Sequence, residues 1–196
     1  MCFICIDSNV CKVGNEKMSF KEYIYDDAVA CNRFDKKYCL NRFLTREHEH
    51  MTWKFQVLLR KEEYWGKRKN AVLSLYYRRK KNKLGERLGF TIPKNTFGPG
   101  LRIWHYGNIV VNAYARVGEN CNLHGDNCIG NKGLLGGGSP IIGDNCDIGV
   151  GAKIIGDITI ADNVTIAAGA IVNKSCSQSN VVLAGVPAKI IKVIKE

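Results

Sequence analysis

A chain of 196 residues with 45% apolar content holds one substantial core, or one core with a smaller layer attached, which excludes two large independent domains. No run of eighteen apolar residues occurs, and the opening MCFICIDSNVCK has no basic start, long apolar stretch or small-residue cleavage site, so the sequence predicts a cytoplasmic protein. Nine cysteines, odd in number and scattered, are expected to be reduced thiols, and the formal charge of +11 raises the question of an anionic partner.

In chain order, Cys2, Cys5 and Cys11 have a C-x2-C-x5-C spacing that zinc accepts in part, but no second pair follows. Residues 1–17 read more simply as an unstructured leader, with Met18 the effective first residue. Residues 18–89 are predicted helical. Ser19 with Glu22 three residues on has the form of a capping box at the head of SFKEYIYDDAVACNRF. MTWKFQVLLRKEEYW and NAVLSLYYRRK each show one apolar and one basic flank. Between Arg60 and Arg87 lie eleven Lys or Arg against three Glu. No RNA- or DNA-binding motif accompanies them, so nucleic acid is not expected; a solvated helix face, resting near a membrane surface as a peripheral association, is the reading.

From about Phe90 the period changes. An apolar beat falls at Phe97 and Ile103, then after two extra residues at Val111, Val117, Leu123 and Ile129. After a glycine-rich interruption, residues 131–140, it resumes at Ile142, Ile148, Ile154, Ile160, Ile166 and Val172. The next residue is usually Gly or Ala. A six-residue unit fits neither an α-helix nor a helix-pair repeat; it fits short parallel strands wound into a β-helix of about four coils, each stacked about 4.8 Å from the last. This sets a mainly β domain at 90–175, preceded by the helical region and followed by a tail at 176–196.

The repeat, with IWHYGNIVV, IIGDNCDIGVGAKIIGDITI, TIAAGAIVNKS and the ending LAGVPAKIIK, resembles the hexapeptide-repeat acyltransferases, which are left-handed β-helices with triangular coils. Among them it looks like the branch of serine acetyltransferases and the O-acetyltransferases of capsule and exopolysaccharide synthesis. The resemblance covers 90–192 strongly and 18–89 in general style. It implies acetyl-CoA as co-substrate, no metal, and a homotrimer with sites shared between neighbours.

It also implies a catalytic histidine at His105, just after the Ile103 beat, where the spacing to Val111 is eight rather than six. The extra residues push the backbone outward and leave the side chain in a cleft. A neutral imidazole, with a reference pKa of about 6.5, accepts a hydroxyl proton near neutral pH. An orienting acid is expected on its other nitrogen. Serine acetyltransferases place it fifteen residues earlier, where this chain has Phe90. Their aspartate before the histidine is Trp104 here, and their DRHP segment is the GGSP of Gly137–Pro140.

The charged groups that would hold an amino acid are therefore gone, which favours a sugar acceptor over serine. Trp104 and Tyr106 suit a sugar by stacking, and Asp26 and Asp27 are the candidate polar groups of the helical segment. His124, nineteen residues after His105, is a further candidate for the same cleft. With only these two histidines in the β domain, a three-histidine zinc site is not expected. For the thioester arm and phosphates of CoA the resemblance points to Gly149, Gly151, Ala167, Ala168, Gly169, Asn173, Lys174 and Lys189. The glycine-rich stretch at 131–140 suits a mobile cover. Serine acetylation and a non-catalytic β-helical scaffold stand as the alternatives.

Overall fold

The computed structural model describes residues 19–33, 35–45, 47–133 and 137–194. The leader with Cys2, Cys5 and Cys11, the start at Met18, and Leu134–Gly136 at the tip of the glycine-rich stretch lie outside them.

The Ser19 hydroxyl accepts from the Glu22 N–H while the Glu22 carboxylate accepts from the Ser19 N–H, so the capping box forms as its spacing implies. It starts α1 (Phe20–Tyr23), which is followed by α2 (Tyr25–Ala30), α3 (Lys36–Leu44), α4 (His48–Lys67) and α5 (Ala71–Leu88). The single segment predicted at 19–34 is broken at Ile24, whose φ of −100° and ψ of 5° leave the helical region. The break lets Ile24 and Ala28 join Trp53 and Val57 of α4 in a separate apolar cluster. The Asn70 side chain accepts from the Leu73 N–H to begin α5, and Gly89, at φ 78°, ends it in the left-handed conformation.

The basic stretch is less solvated than its composition suggests. Arg60 and Lys81 are buried, Arg60 paired with Asp27 and Glu63, Lys81 with Glu62, and Arg78 also reaches Glu62. Glu62 and Glu63 within the run, and Asp27 from α2, turn part of it inward. No described helix is long and apolar enough to cross a membrane.

Among the described residues fourteen strands follow in order: β1 (Phe90–Thr91), β2 (Arg102–Ile103), β3 (Ile109–Val111), β4 (Arg116–Val117), β5 (Asn122–Leu123), β6 (Cys128–Gly130) and β7 (Ile141–Ile142), then β8 (Asp147–Ile148), β9 (Lys153–Ile155), β10 (Thr159–Ile160), β11 (Val164–Ile166), β12 (Ile171–Val172), β13 (Val181–Gly185) and β14 (Ala188–Val193). They wind through three sheets, β1-β3-β6-β9-β12, β4-β7-β10 and β2-β5-β8-β11-β13-β14. All pairs are parallel except the closing β13–β14 hairpin, which completes the last sheet from the tail.

The beat sets the register. Ile103 lies against Leu123 and Leu123 against Ile148, while Val111, Ile129, Ile154 and Val172 stack on the next face and Val117, Ile142 and Ile160 on the third. Every beat residue from Phe97 to Val172 is buried, together with a second inward row two residues earlier that includes Leu101, Cys121 and Cys146. At Gly118 a Cβ would come within 2.8 Å of the Gly143 carbonyl carbon, so the coils could not stack there with a larger residue. Another turn uses asparagines: Asn120, Asn145 and Asn163, each with φ near +55°, pass side-chain hydrogen bonds of 3.0 and 3.1 Å from coil to coil. The polar ends of the ladder satisfy one another while their φ makes the turn.

The helices dock on the first coil. Phe55 packs edge-on against Phe90 at 5.0 Å, and the Gln56 amide donates to the Leu101 carbonyl at 2.6 Å. Arg60 donates to the Phe97 and Gly98 carbonyls, and Asp27 accepts from the Gly100 and Leu101 N–H groups. This joint brings the start of α4 to the turn that follows β2.

Candidate active site

The turns after β2, β5, β8 and β11 stack along one edge of the prism. Trp104 N–H donates to the Leu123 carbonyl, His124 to Ile148, Gly149 to Ile166 and Ala167 to Leu183, with Gly151 N–H reaching Gly125 and Gly169 N–H reaching Val150. His105 and Tyr106 therefore share an edge with Gly149, Gly151, Ala167, Ala168 and Gly169. Three coil steps, about 14 Å, separate its two ends.

The extra residues after Ile103 have the effect their spacing implies. His105 and Tyr106 are exposed, Tyr106 at 58%, and the backbone turns at Gly107, φ 133°, before β3 begins. The inner side of His105 rests near Gly125, where an added Cβ would lie 3.6 Å from the His105 Cβ.

Phe90, at the position where the resembled enzymes carry an acid, is buried in the core against Phe55. No hydrogen bond or ion pair to the His105 ring occurs among the described residues. Its close neighbour is instead His48, the first residue of α4, with ring centroids 4.9 Å apart and planes tilted by 33°; Tyr106 stands 6.3 Å from His48, edge to face. His48 was not among the residues singled out from sequence. Its one signal was the EHEH run at 47–50, which has no meaning until α4 is docked.

Trp104 and His124 meet each other on this edge. Their rings stack at 5.4 Å with planes 7° apart, the Arg102 guanidinium lies 3.5 Å from the indole centroid, and the indole N–H donates to Asn122. His124 Nε2 lies 2.8 Å from the Asp147 carboxylate of the following coil. The indole is thus already engaged by three neighbours, which leaves Tyr106 as the exposed aromatic beside His105. Asp147 is a second residue that sequence reading passed over, since its partner lies one coil away.

Asp26 and Asp27 part company. Asp27 is 1% exposed and its carboxylate is taken up by Arg60 and the Gly100 and Leu101 N–H groups. Burial pushes its carboxyl upward against the pull of Arg60, while Arg60, despite burial, is held above its ordinary range by Asp27 and Glu63. Asp26 is half-buried on the same short helix.

Past the last turn of this edge, Asn173 and Lys174 are exposed after β12, at the next corner of the prism, and Lys189 is exposed on β14, where it pairs with Ala184 of β13. Gly149 is enclosed, with 2.7 Å between an added Cβ and the Ala168 nitrogen. Gly169, at φ 69°, is open: a Cβ there would meet nothing within 4 Å. The outer flank of the last turn is therefore open to a neutral chain against its backbone, and Lys189 lies on β14, two strands beyond β11 in the same sheet. In the glycine-rich stretch, Gly138 abuts Asp157 and Ser139 is buried, so its second half lies against the prism.

The crystal structure of serine acetyltransferase from Brucella abortus strain S19 matches with a TM-score of 0.69 at 26% identity, covering 90% of this chain and 70% of that one. The fold is that of the serine acetyltransferases. The Neisseria gonorrhoeae serine acetyltransferase matches at 0.67 and 26%, with 90% and 66% covered, and the Brucella abortus enzyme in complex with coenzyme A at 0.66 and 26%, with 90% and 69%. The architecture is accordingly the left-handed β-helix of those enzymes, mainly β with helices at one end. No family model and no curated protein matches the chain.

Proposed function

We propose that this protein is an acetyltransferase that moves the acetyl group of acetyl-CoA to a hydroxyl, with His105 as general base and a sugar in polysaccharide synthesis as acceptor. The observation that carries the reading is the shared edge, with an exposed imidazole at one end and an open glycine flank at the other, beside which β14 carries the exposed Lys189. The fold neighbours support it, one of them being a complex with coenzyme A.

A ring nitrogen of His105 takes the acceptor's proton as its oxygen attacks the thioester carbonyl; the imidazolium then returns that proton to the departing CoA thiolate. Ala167, Ala168 and Gly169 flank the pantetheine arm, and Asn173, Lys174 and Lys189 meet the phosphates. Gly149 and Gly151 keep the intervening turns narrow enough for the arm to pass. A homotrimer supplies the other wall of the groove, supported by exposed Val110, Tyr114, Ile141 and Val150 on the outside of the prism.

A sugar is favoured because the positions that carry acids in the resembled enzymes hold Phe90 and Trp104, and because Tyr106 offers an exposed ring beside the base. Serine is the second reading, favoured by the names of the fold neighbours. Release of free CoA thiol is measured with a panel of sugars and nucleotide-sugars, then with serine, for the full chain and for His105→Ala. Turnover with a sugar that falls about 100- to 10,000-fold in the variant supports the reading. Turnover with serine alone selects the second, and no turnover with any acceptor points to a scaffold.

A further inference from the structure

We infer that His48 is a positioning residue for His105, taking the place of the acid that the site lacks. The inference rests on the reading of His105 as the general base. When that imidazole takes up a proton it gains a full positive charge, and in histidine-based sites a carboxylate commonly holds the ring and offsets the charge. Here the position of such an acid is filled by Phe90, buried against Phe55. What lies against the His105 ring is a second aromatic face, 4.9 Å away and tilted by 33°.

A cation within about 6 Å of an aromatic centroid is attracted to the ring face. The attraction appears only as His105 becomes charged, so it favours the transition state over the ground state. The same contact restricts rotation of the His105 side chain, and Tyr106 meets His48 edge to face at 6.3 Å.

The position of His48 is fixed rather than incidental. Further along α4, Phe55 packs on Phe90, the Gln56 amide is bonded to the Leu101 carbonyl, and Arg60 is bonded to the Phe97 and Gly98 carbonyls. Three attachments to the first coil hold the helix so that its first residue stands over the turn carrying His105. His50, two residues on, packs instead against Phe43 at 5.3 Å, so the two histidines of the EHEH run serve different neighbours.

The test compares His48→Ala and His48→Phe with the unaltered full-length protein, measuring CoA thiol release with the working acceptor and following folding by thermal melting. His48→Ala is expected to lower kcat about 3- to 30-fold, the range for a cation against an aromatic face, with KM for acetyl-CoA changed less than about twofold. His48→Phe keeps the face without a titrating nitrogen and is expected to recover kcat to within about twofold. Full kcat in His48→Ala, an equal loss in His48→Phe, or a loss carried by KM for acetyl-CoA overturns the inference. His105→Ala, run alongside, separates the causes: if it is inactive while His48→Ala is at full rate, only the role of His48 falls; if His105→Ala is itself at full rate, the general-base reading falls as well.

Discussion

Arg60 grips Asp27 through nitrogen–oxygen contacts of 2.7 and 3.1 Å, and both side chains are closed off from solvent. Each also bonds to the backbone of the first coil, so the pair is a rivet between the helices and the β-helix. Removing one partner strands the other charge in the interior. Asp27→Ala and Arg60→Met are each expected to cost about 3–5 kcal/mol, read as a lower midpoint in urea unfolding. A loss under about 1 kcal/mol in both would show that the joint contributes little.

The cofactor end is probed through the lysines. Lys174→Ala and Lys189→Ala are expected to raise KM for acetyl-CoA more than they lower kcat, because phosphate contacts are shared by ground and transition states. An unchanged KM in both variants would place the phosphates elsewhere.

His124 is expected to matter less than His105. It is held by Asp147 and stacked on Trp104. His124→Ala should reduce kcat by less than about tenfold, against about 100- to 10,000-fold for His105→Ala. Inverted ranks in the same assay would transfer the base to the second coil.

The interior thiols give a pH prediction. Burial pushes the Cys146 thiol up to about 11 and the Cys31 thiol to about 12, from an ordinary value of 9.0. Above the unfolded value the unfolded chain loses these protons first, so the folded state binds more of them and stability falls as pH rises. For Cys146 the fall spans roughly pH 9 to 11. Urea midpoints measured across that window should decline, and the decline should be shallower in Cys146→Ala. At pH 8 Cys31, Cys121 and Cys146 should resist a thiol reagent until the protein is unfolded.

Assembly is tested by light scattering. A prism with exposed Val110, Ile141 and Val150 is expected to run at about three times the chain mass. A fully active monomer would remove the shared groove from the mechanism.

The β-helix was legible in the sequence because its signal repeats: each inward residue from Phe97 to Val172 restates the same register, so one weak position cannot mislead the reading. His105 was legible for the converse reason, as the place where the interval lengthens from six to eight. Contacts between distant segments left no such trace. Asp27 reads as a candidate substrate-binding acid until Arg60, 33 residues later, is seen to face it. His48 becomes relevant only once α4 is seated on the first coil. Trp104 looked available for stacking because its neighbours depend on coil register: His124 lies on the next turn, at an interval widened to 20 by the same insertion that frees His105.

The stacked turns also make the edge that carries His105 a ruler. Its graduations are whole coils, about 4.8 Å each, and nothing in the repeat allows a fraction of one. Donors whose reactive carbon and anionic end are separated by the wrong length cannot be accommodated by a small side-chain shift, since the spacing is written in backbone hydrogen bonds. Deleting an 18-residue coil between His105 and Gly169 would leave both ends chemically intact but shorten the measure by one graduation, favouring donors with shorter arms.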